Sequence, residues 1–377
     1  MRSTDRRRAA SIHSAAPRRG FTLVELLVVI GIIALLIGLL LPALGKVVQR
    51  AKATQTLGTM QNFAKACDSY FQEFGEYPAA VPDDFLYSGL TAANGDAVPR
   101  ITAAENALLA LMGGYRVSSD PDFATFGQST QSNTNTSMLF RDLTFTDASG
   151  ATFRIKIDQT KIGEGPVRKG KKYDPFFSPK GREFGRAAGQ IYGPDFDATS
   201  DLPDLLDAWG TPITFIKQQR GIGPLVNRPG SGTMLRGRFE RFGMNAYTRS
   251  SALGELQVDQ ASDTQRKSVL NTESAGGQSG VPARDLTLGQ LIRHAGMGTQ
   301  AATGGSLVDS ERVYSGTPRG KYFLFSAGPD AIYFSRSQLG TTSTATEPDI
   351  VNSAANFNPD GPRVIEKFDD VVVSGGG

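Results

Sequence analysis

Cysteine and histidine are nearly absent from this chain, and charge is nearly absent from one long stretch of it. A single cysteine, Cys67, stands among 377 residues, so no intrachain disulfide can form even in an oxidising compartment. Of the two histidines, His13 lies within the first twenty residues and only His294 lies beyond them. That scarcity removes most histidine-based metal sites and catalytic triads from consideration. No nucleophile–base pair is legible elsewhere, and His294 reads as a surface or packing residue. Cys67 falls on an apolar stripe and reads as core rather than as a reactive thiol.

The stretch poor in charge is residues 21–41, twenty-one positions of which only Glu25 can ionise. As a helix rising about 1.5 Å per residue they span roughly 31 Å, the hydrocarbon thickness of a bilayer. Ahead of them stand Arg2, Arg6, Arg7, Arg8, Arg18 and Arg19 against one acid, Asp5. Basic flanks stay in the cytoplasm, so everything after Leu41 is expected on the far side of the membrane. A carboxylate in such a helix costs on the order of 2.5–3.5 kcal/mol. Glu25 therefore either reaches headgroup water from the helix start or meets a positive charge on a neighbouring subunit.

Arg18-Arg19-Gly20-Phe21-Thr22-Leu23-Val24-Glu25 resembles the cleavage signature of type IV pilin-like proteins, a group that includes type II secretion pseudopilins. The resemblance implies that a membrane prepilin peptidase cuts after Gly20 and methylates the new terminus, Phe21. It also implies that Glu25, then the fifth residue, meets that amine in a growing filament. Pro42 falls where such helices often carry a proline. A secretory signal peptide fits less well, because the apolar run is too long and no small-x-small cleavage site follows it.

Formal net charge is +3, and the leader's six arginines and one aspartate account for +5, which leaves −2 for the processed chain. No specific nucleic-acid partner is expected from that balance. The domain reading is a leader at 1–20, a long helix at 21–75 with 21–41 in the membrane, and an α+β head at 76–377. The head is expected to be pilin-like, an antiparallel β-sheet carrying large insertions and packed on the helix.

Past Pro42, where a local bend is expected, Leu57, Met60, Phe63, Ala64, Cys67, Tyr70, Phe71 and Phe74 recur at three- and four-residue spacing, an amphipathic helical stripe that Gly75 ends. A short helix is expected at 102–112, stopped by Gly113-Gly114. Residues 117–136 read as an exposed polar loop, and 137–145 and 151–157 as strands. Residues 160–184 read as a mobile basic loop. Asp207 and Gly210 mark a turn before a strand at 213–216. Residues 221–236 and 250–282 read as insertions, 287–294 as a short helix, 321–325 and 331–334 as strands about a turn at 326–330. The segment Asp207-Ala208-Trp209-Gly210-Thr211-Pro212 resembles a turn of major pseudopilins, as do Ser326-Ala327-Gly328-Pro329-Asp330 and Pro348-Asp349-Ile350.

Two ligand-like patterns fail on inspection. Gly165 to Lys172 comes close to a phosphate-binding loop, but Lys172 stands where Ser or Thr must meet magnesium, so the stretch reads as a solvated basic loop. Asp195, Asp197, Asp201, Asp204 and Asp207 lack the glycine and the terminal acid of an EF-hand and read as turn and cap residues. The resemblance adds one metal. Major pseudopilins carry calcium after their Ser-x-Gly-x-Asp turn, which implies Ca2+ at Asp330 and Asp349, with Ser326 and nearby carbonyls as helpers. Ala331 departs from the family's glycine, and eighteen residues separate Asp330 from Asp349. Asp369 and Asp370 are the alternative second carboxylate, and a plain hairpin turn at Asp330 is the competing reading. No other cofactor is expected.

The reading is a structural subunit of a type II secretion pseudopilus rather than an enzyme. It would span the inner membrane once, N-terminus cytoplasmic and head periplasmic, and polymerise through its helix to support export of folded proteins. Its expected partners are prepilin peptidase, identical subunits, other pseudopilins, the inner-membrane assembly platform and the bilayer. A type IV surface or DNA-uptake pilin is the alternative, and a membrane-tethered periplasmic enzyme a third reading that the missing catalytic constellation disfavours.

Overall fold

The computed structural model describes residues 22–88, 101–128, 139–147, 149–185, 202–226, 228–229, 234–235, 237–239, 288–289, 291–292, 316–335 and 369–376. The leader, Gly20, Phe21, His294, Asp349 and the expected insertion at 250–282 lie outside those residues. The chain divides into two compact units, Met1–Arg50 and Ala51–Gly377.

Helix α1, Leu23–Phe74, runs for 52 residues. Its helical backbone continues through position 42, so the proline there does not end the helix. Within the second unit the predicted stripe becomes core: Met60, Phe63, Ala64, Cys67 and Tyr70 are buried. Leu57 departs from the expectation and stays exposed at the margin of the stripe. Phe63 meets Phe177 and Phe215 edge to face at 5.3 and 5.5 Å, and full burial of such a side chain contributes about 1.5–3 kcal/mol. Polar groups fix the helix as well. The Thr56 hydroxyl accepts the Ala208 N–H at 3.0 Å, and the Thr59 hydroxyl donates to Glu183 at 2.9 Å.

Helix α2 is Asp83–Ser88, and α3 is Ala103–Met112. Thr102 and Glu105 close a capping box on α3, a Thr-x-x-Glu pattern in which each side chain bonds the other's backbone N–H. Every residue from Ala104 to Met112 is buried, including Asn106. Its amide accepts the Ala80 and Val81 N–H groups at 2.9 and 2.8 Å and donates to the Val81 carbonyl at 2.9 Å, pinning the chain that leaves α1. Gly113 ends the helix at φ 82°, and an added Cβ there would strike the Gly165 carbonyl.

Strands β1, Tyr115–Val117, β2, Phe140–Thr146, and β3, Thr152–Asp158, form an antiparallel sheet in the order β1-β3-β2. The stretch after β1 is not the wholly exposed loop expected. Asp120 and Phe126 are buried, because the Asp120 carboxylate accepts the Val117 N–H at 2.8 Å and the Arg116 guanidinium lies over the Phe126 ring. Residues 160–184 also differ from the expectation. They contain a hairpin of β4, Val167–Arg168, and β5, Lys171–Lys172. Lys169 and Gly170 at its tip both take positive φ, 50° and 77°, as a two-residue hairpin turn of this hand demands. Arg168 pairs with Glu76 and lies 4.7 Å above the Phe74 ring, and Phe177 enters the core. The basic stretch is therefore tied down by its arginine and its aromatics.

Two short pairs follow: β6, Phe184–Gly185, with β7, Asp204–Leu205, and later β9, Arg228–Pro229, with β10, Met234–Leu235. Between them runs β8, Thr214–Lys217. With β11, Tyr322–Ser326, and β12, Val371–Gly375, it makes a second antiparallel sheet in the order β12-β11-β8. All residues of β8 and β11 are buried, including Thr214, Lys217 and Ser326. The expected strand at 331–334 does not form. Gly328–Asp330 is a 3-10 turn, Ala331 and Phe334 take left-handed φ of 57° and 48°, and β11 pairs instead with β12 at the chain's end. The architecture is α+β, a long N-terminal apolar helix and a head of antiparallel sheets. At 287–294, Leu288, Gly289, Leu291 and Ile292 are helical, and the rest lies outside the described residues.

Candidate functional site

The start of α1 is built by two residues. Glu25 accepts the Thr22 N–H and the Thr22 hydroxyl, each at 2.8 Å, while the Thr22 hydroxyl accepts the Glu25 N–H at 3.2 Å. This is the reciprocal logic of a capping box, so within one chain Glu25 satisfies its own helix terminus. From there to Leu40 the helix shows apolar surface: Leu26, Leu27, Ile30, Ile33, Leu36 and Leu40 are all exposed. The most apolar 18-residue window of α1 has mean hydropathy 3.0, and none of it is buried. A helix so long and apolar fits membrane anchoring or burial between subunits.

In the head, the two motif turns meet. Asp207 accepts the N–H groups of Trp209 and Thr211 at 2.9 and 2.8 Å on one oxygen, and the Ser326 hydroxyl at 2.7 Å on the other. Burial pushes the Asp207 carboxyl up, and the Ser326 and backbone donors pull against it. Tyr333 donates to the Pro212 carbonyl, closing the same contact from the far side. Nothing in the residue spacing revealed this pairing across more than a hundred positions, although both partners stood in recognised motifs.

The structure brings Asp369 and Asp370 to Asp330. Asp330 accepts the Ile332 N–H at 2.9 Å, and Asp370 accepts the Phe334 N–H at 2.9 Å. Burial pushes both carboxyls up, Asp370 well above the usual carboxylate range, and the negative charge of Asp369 adds to the shift at each. The second oxygen of Asp370, Oδ2, is buried and has no hydrogen-bond partner among the described residues. Among the described residues no three His, Cys, Asp or Glu side chains form a metal-holding group. Asp349 lies outside the described residues, as do Gly20 and Phe21.

Residues 16–41 match the prokaryotic N-terminal methylation motif. That motif marks type IV pilin-like prepilins, structural proteins processed by prepilin peptidase, and the matched span holds Gly20, Phe21 and Glu25. No curated protein and no solved structure matches the chain.

Proposed function

We propose that the chain is the precursor of a filament subunit, cut after Gly20, methylated at Phe21 and polymerised through α1 into a type II secretion pseudopilus. The observation that carries this reading is the methylation motif continuous with a fully exposed apolar helix on an α+β head. Such a helix must be covered by lipid before assembly and by neighbouring helices after it. The joined turns at Asp207 and Ser326 support the pseudopilin subtype, since both lie in segments that resemble major pseudopilins. Mass spectrometry of the membrane-extracted protein tests processing: the mature chain should begin at N-methylated Phe21. A mature chain that retains residues 2–20 refutes it. Deleting the gene tests the subtype. Loss of exported proteins from the medium supports the pseudopilus, and loss of surface filaments or DNA uptake with export intact supports a type IV pilus.

We further propose Ca2+ at Asp330, with Asp370 as the second carboxylate. The buried Oδ2 of Asp370, unpartnered among the described residues, fits a cation, because an ion there would supply a contact and offset the repulsion between Asp330 and Asp370. Backbone carbonyls, the Ser326 turn and Asp349 remain as further donors. A ligand at one hundred times its Kd stabilises by about 2.7 kcal/mol. The melting temperature of the processed chain should rise when calcium replaces a chelator, and Asp330→Ala and Asp370→Asn should each abolish the rise. A rise lost in Asp349→Ala but kept in Asp370→Asn moves the second ligand to Asp349. Equal responses in wild type and all variants dismiss the site.

A further inference from the structure

Where the chain leaves α1, a cleft of about 870 Å3 opens between the loop at 75–83, β1, the tip of the β4–β5 hairpin and the end of β8. Its charges are unequal. Five cations line it, Arg168, Lys169, Lys217, Arg220 and Lys321, against the acids Glu76, Asp83 and Asp120. The acids are committed: Glu76 to Arg168, Asp83 to Lys217 at 3.1 Å, and Asp120 to the Val117 N–H. Lys217 is buried, so its pair with Asp83 is a neutralised part of the wall. Lys169 stands at the hairpin tip, and the Lys321 ammonium lies 5.4 Å from the centroid of the Phe71 ring. Among the described residues neither lysine is paired with a carboxylate. Between these cations Phe71 stacks on Tyr77 at 4.7 Å, giving the wall an aromatic face.

We propose that this cleft binds a short acidic segment of another polypeptide. Carboxylates of the segment pair with Lys169 and Lys321, and an apolar side chain beside them rests on the Phe71–Tyr77 face. The volume is that of a site for one compact ligand rather than an open track. A long polyanion such as duplex DNA or a sulfated polysaccharide needs a basic face extending past the cleft. The chain outside the leader carries −2, so no general positive charge extends beyond the cleft to hold one. This inference concerns the head alone and stands whether or not α1 builds a pseudopilus.

The test uses the processed full-length chain in detergent and a fluorescein-labelled peptide of ten glutamates with one internal phenylalanine, followed by anisotropy. Binding should be saturable and should weaken with added salt. Lys169→Glu with Lys321→Glu should lower affinity about tenfold or more, with the melting temperature unchanged. Lys65→Glu, an exposed lysine of α1 outside the cleft, should bind as wild type. Absence of binding to the wild-type chain overturns the proposal, and so does an equal loss in Lys65→Glu. Tighter binding of heparin or duplex DNA with the same lysine dependence overturns the peptide assignment in favour of a polyanion.

Discussion

A chain carrying Glu25→Val should be inserted and cleaved normally yet yield almost no filament. Valine removes the only ionisable group in residues 21–41, and insertion improves by about 2–3 kcal/mol. Cleavage depends on Gly20 and its flanks and should be untouched. Assembly is different, because bundled helices exclude water and leave the Phe21 amine of each incoming subunit in want of a counter-charge. In the single chain the Glu25 carboxylate bonds Thr22, so in the proposed filament it would exchange that cap for a neighbour's amine. Glu25→Gln keeps much of the cap while losing the charge, which separates the two roles. If filament yield is lost in both variants, the charge is what assembly uses. Filaments at wild-type yield from Glu25→Val, counted by electron microscopy or by cross-linking ladders, would leave Glu25 as a local helix cap and no more.

Gly113→Ala should be strongly damaging to the head. At φ 82° and ψ −151° the backbone lies in a region that side-chain-bearing residues occupy at a cost of about 1–3 kcal/mol. The added methyl would also collide with the Gly165 carbonyl, against which Gly113 forms a parallel bridge. Relief requires either α3 or the 163–166 segment to move, and α3 is buried all round. Gly75→Ala is the matched control: its φ is 75°, but nothing lies within 4 Å of the new Cβ. Its loss should stay near the backbone cost alone, about 1–2 kcal/mol. Thermal melts of the two processed variants decide the matter. Equal losses would mean that the close approach to Gly165 is soft and contributes nothing of its own.

Some elements were legible because their signal is local. The short helix stopped by Gly113, the stripe of α1 from Met60 through Tyr70 and the strands at Phe140–Thr146 and Thr152–Asp158 all follow from periodicity and end signals within a few residues. The misread segments have a common cause. Residues 160–184 looked like free loop because their polar composition hides Phe176, Phe177 and Arg168, which are held by α1 and α3 rather than by each other. Residues 331–334 looked like a strand beside β11, but the place beside β11 was taken by β12, some forty positions further on.

By itself, then, the order of residues carries the methylation motif and a stretch long and apolar enough to cross a membrane. Both depend on contiguous features: a basic leader, Gly20-Phe21, and a run of apolar side chains interrupted by Glu25 alone. The tertiary structure decided everything that depends on two distant segments meeting. It seated the Ser326 hydroxyl on Asp207, brought Asp369 and Asp370 to Asp330, and gathered Lys169 and Lys321 around one cleft. Hydrogen bonds and charges act over a few ångströms, and only the packing of α1 against the two sheets determines which residues come that close.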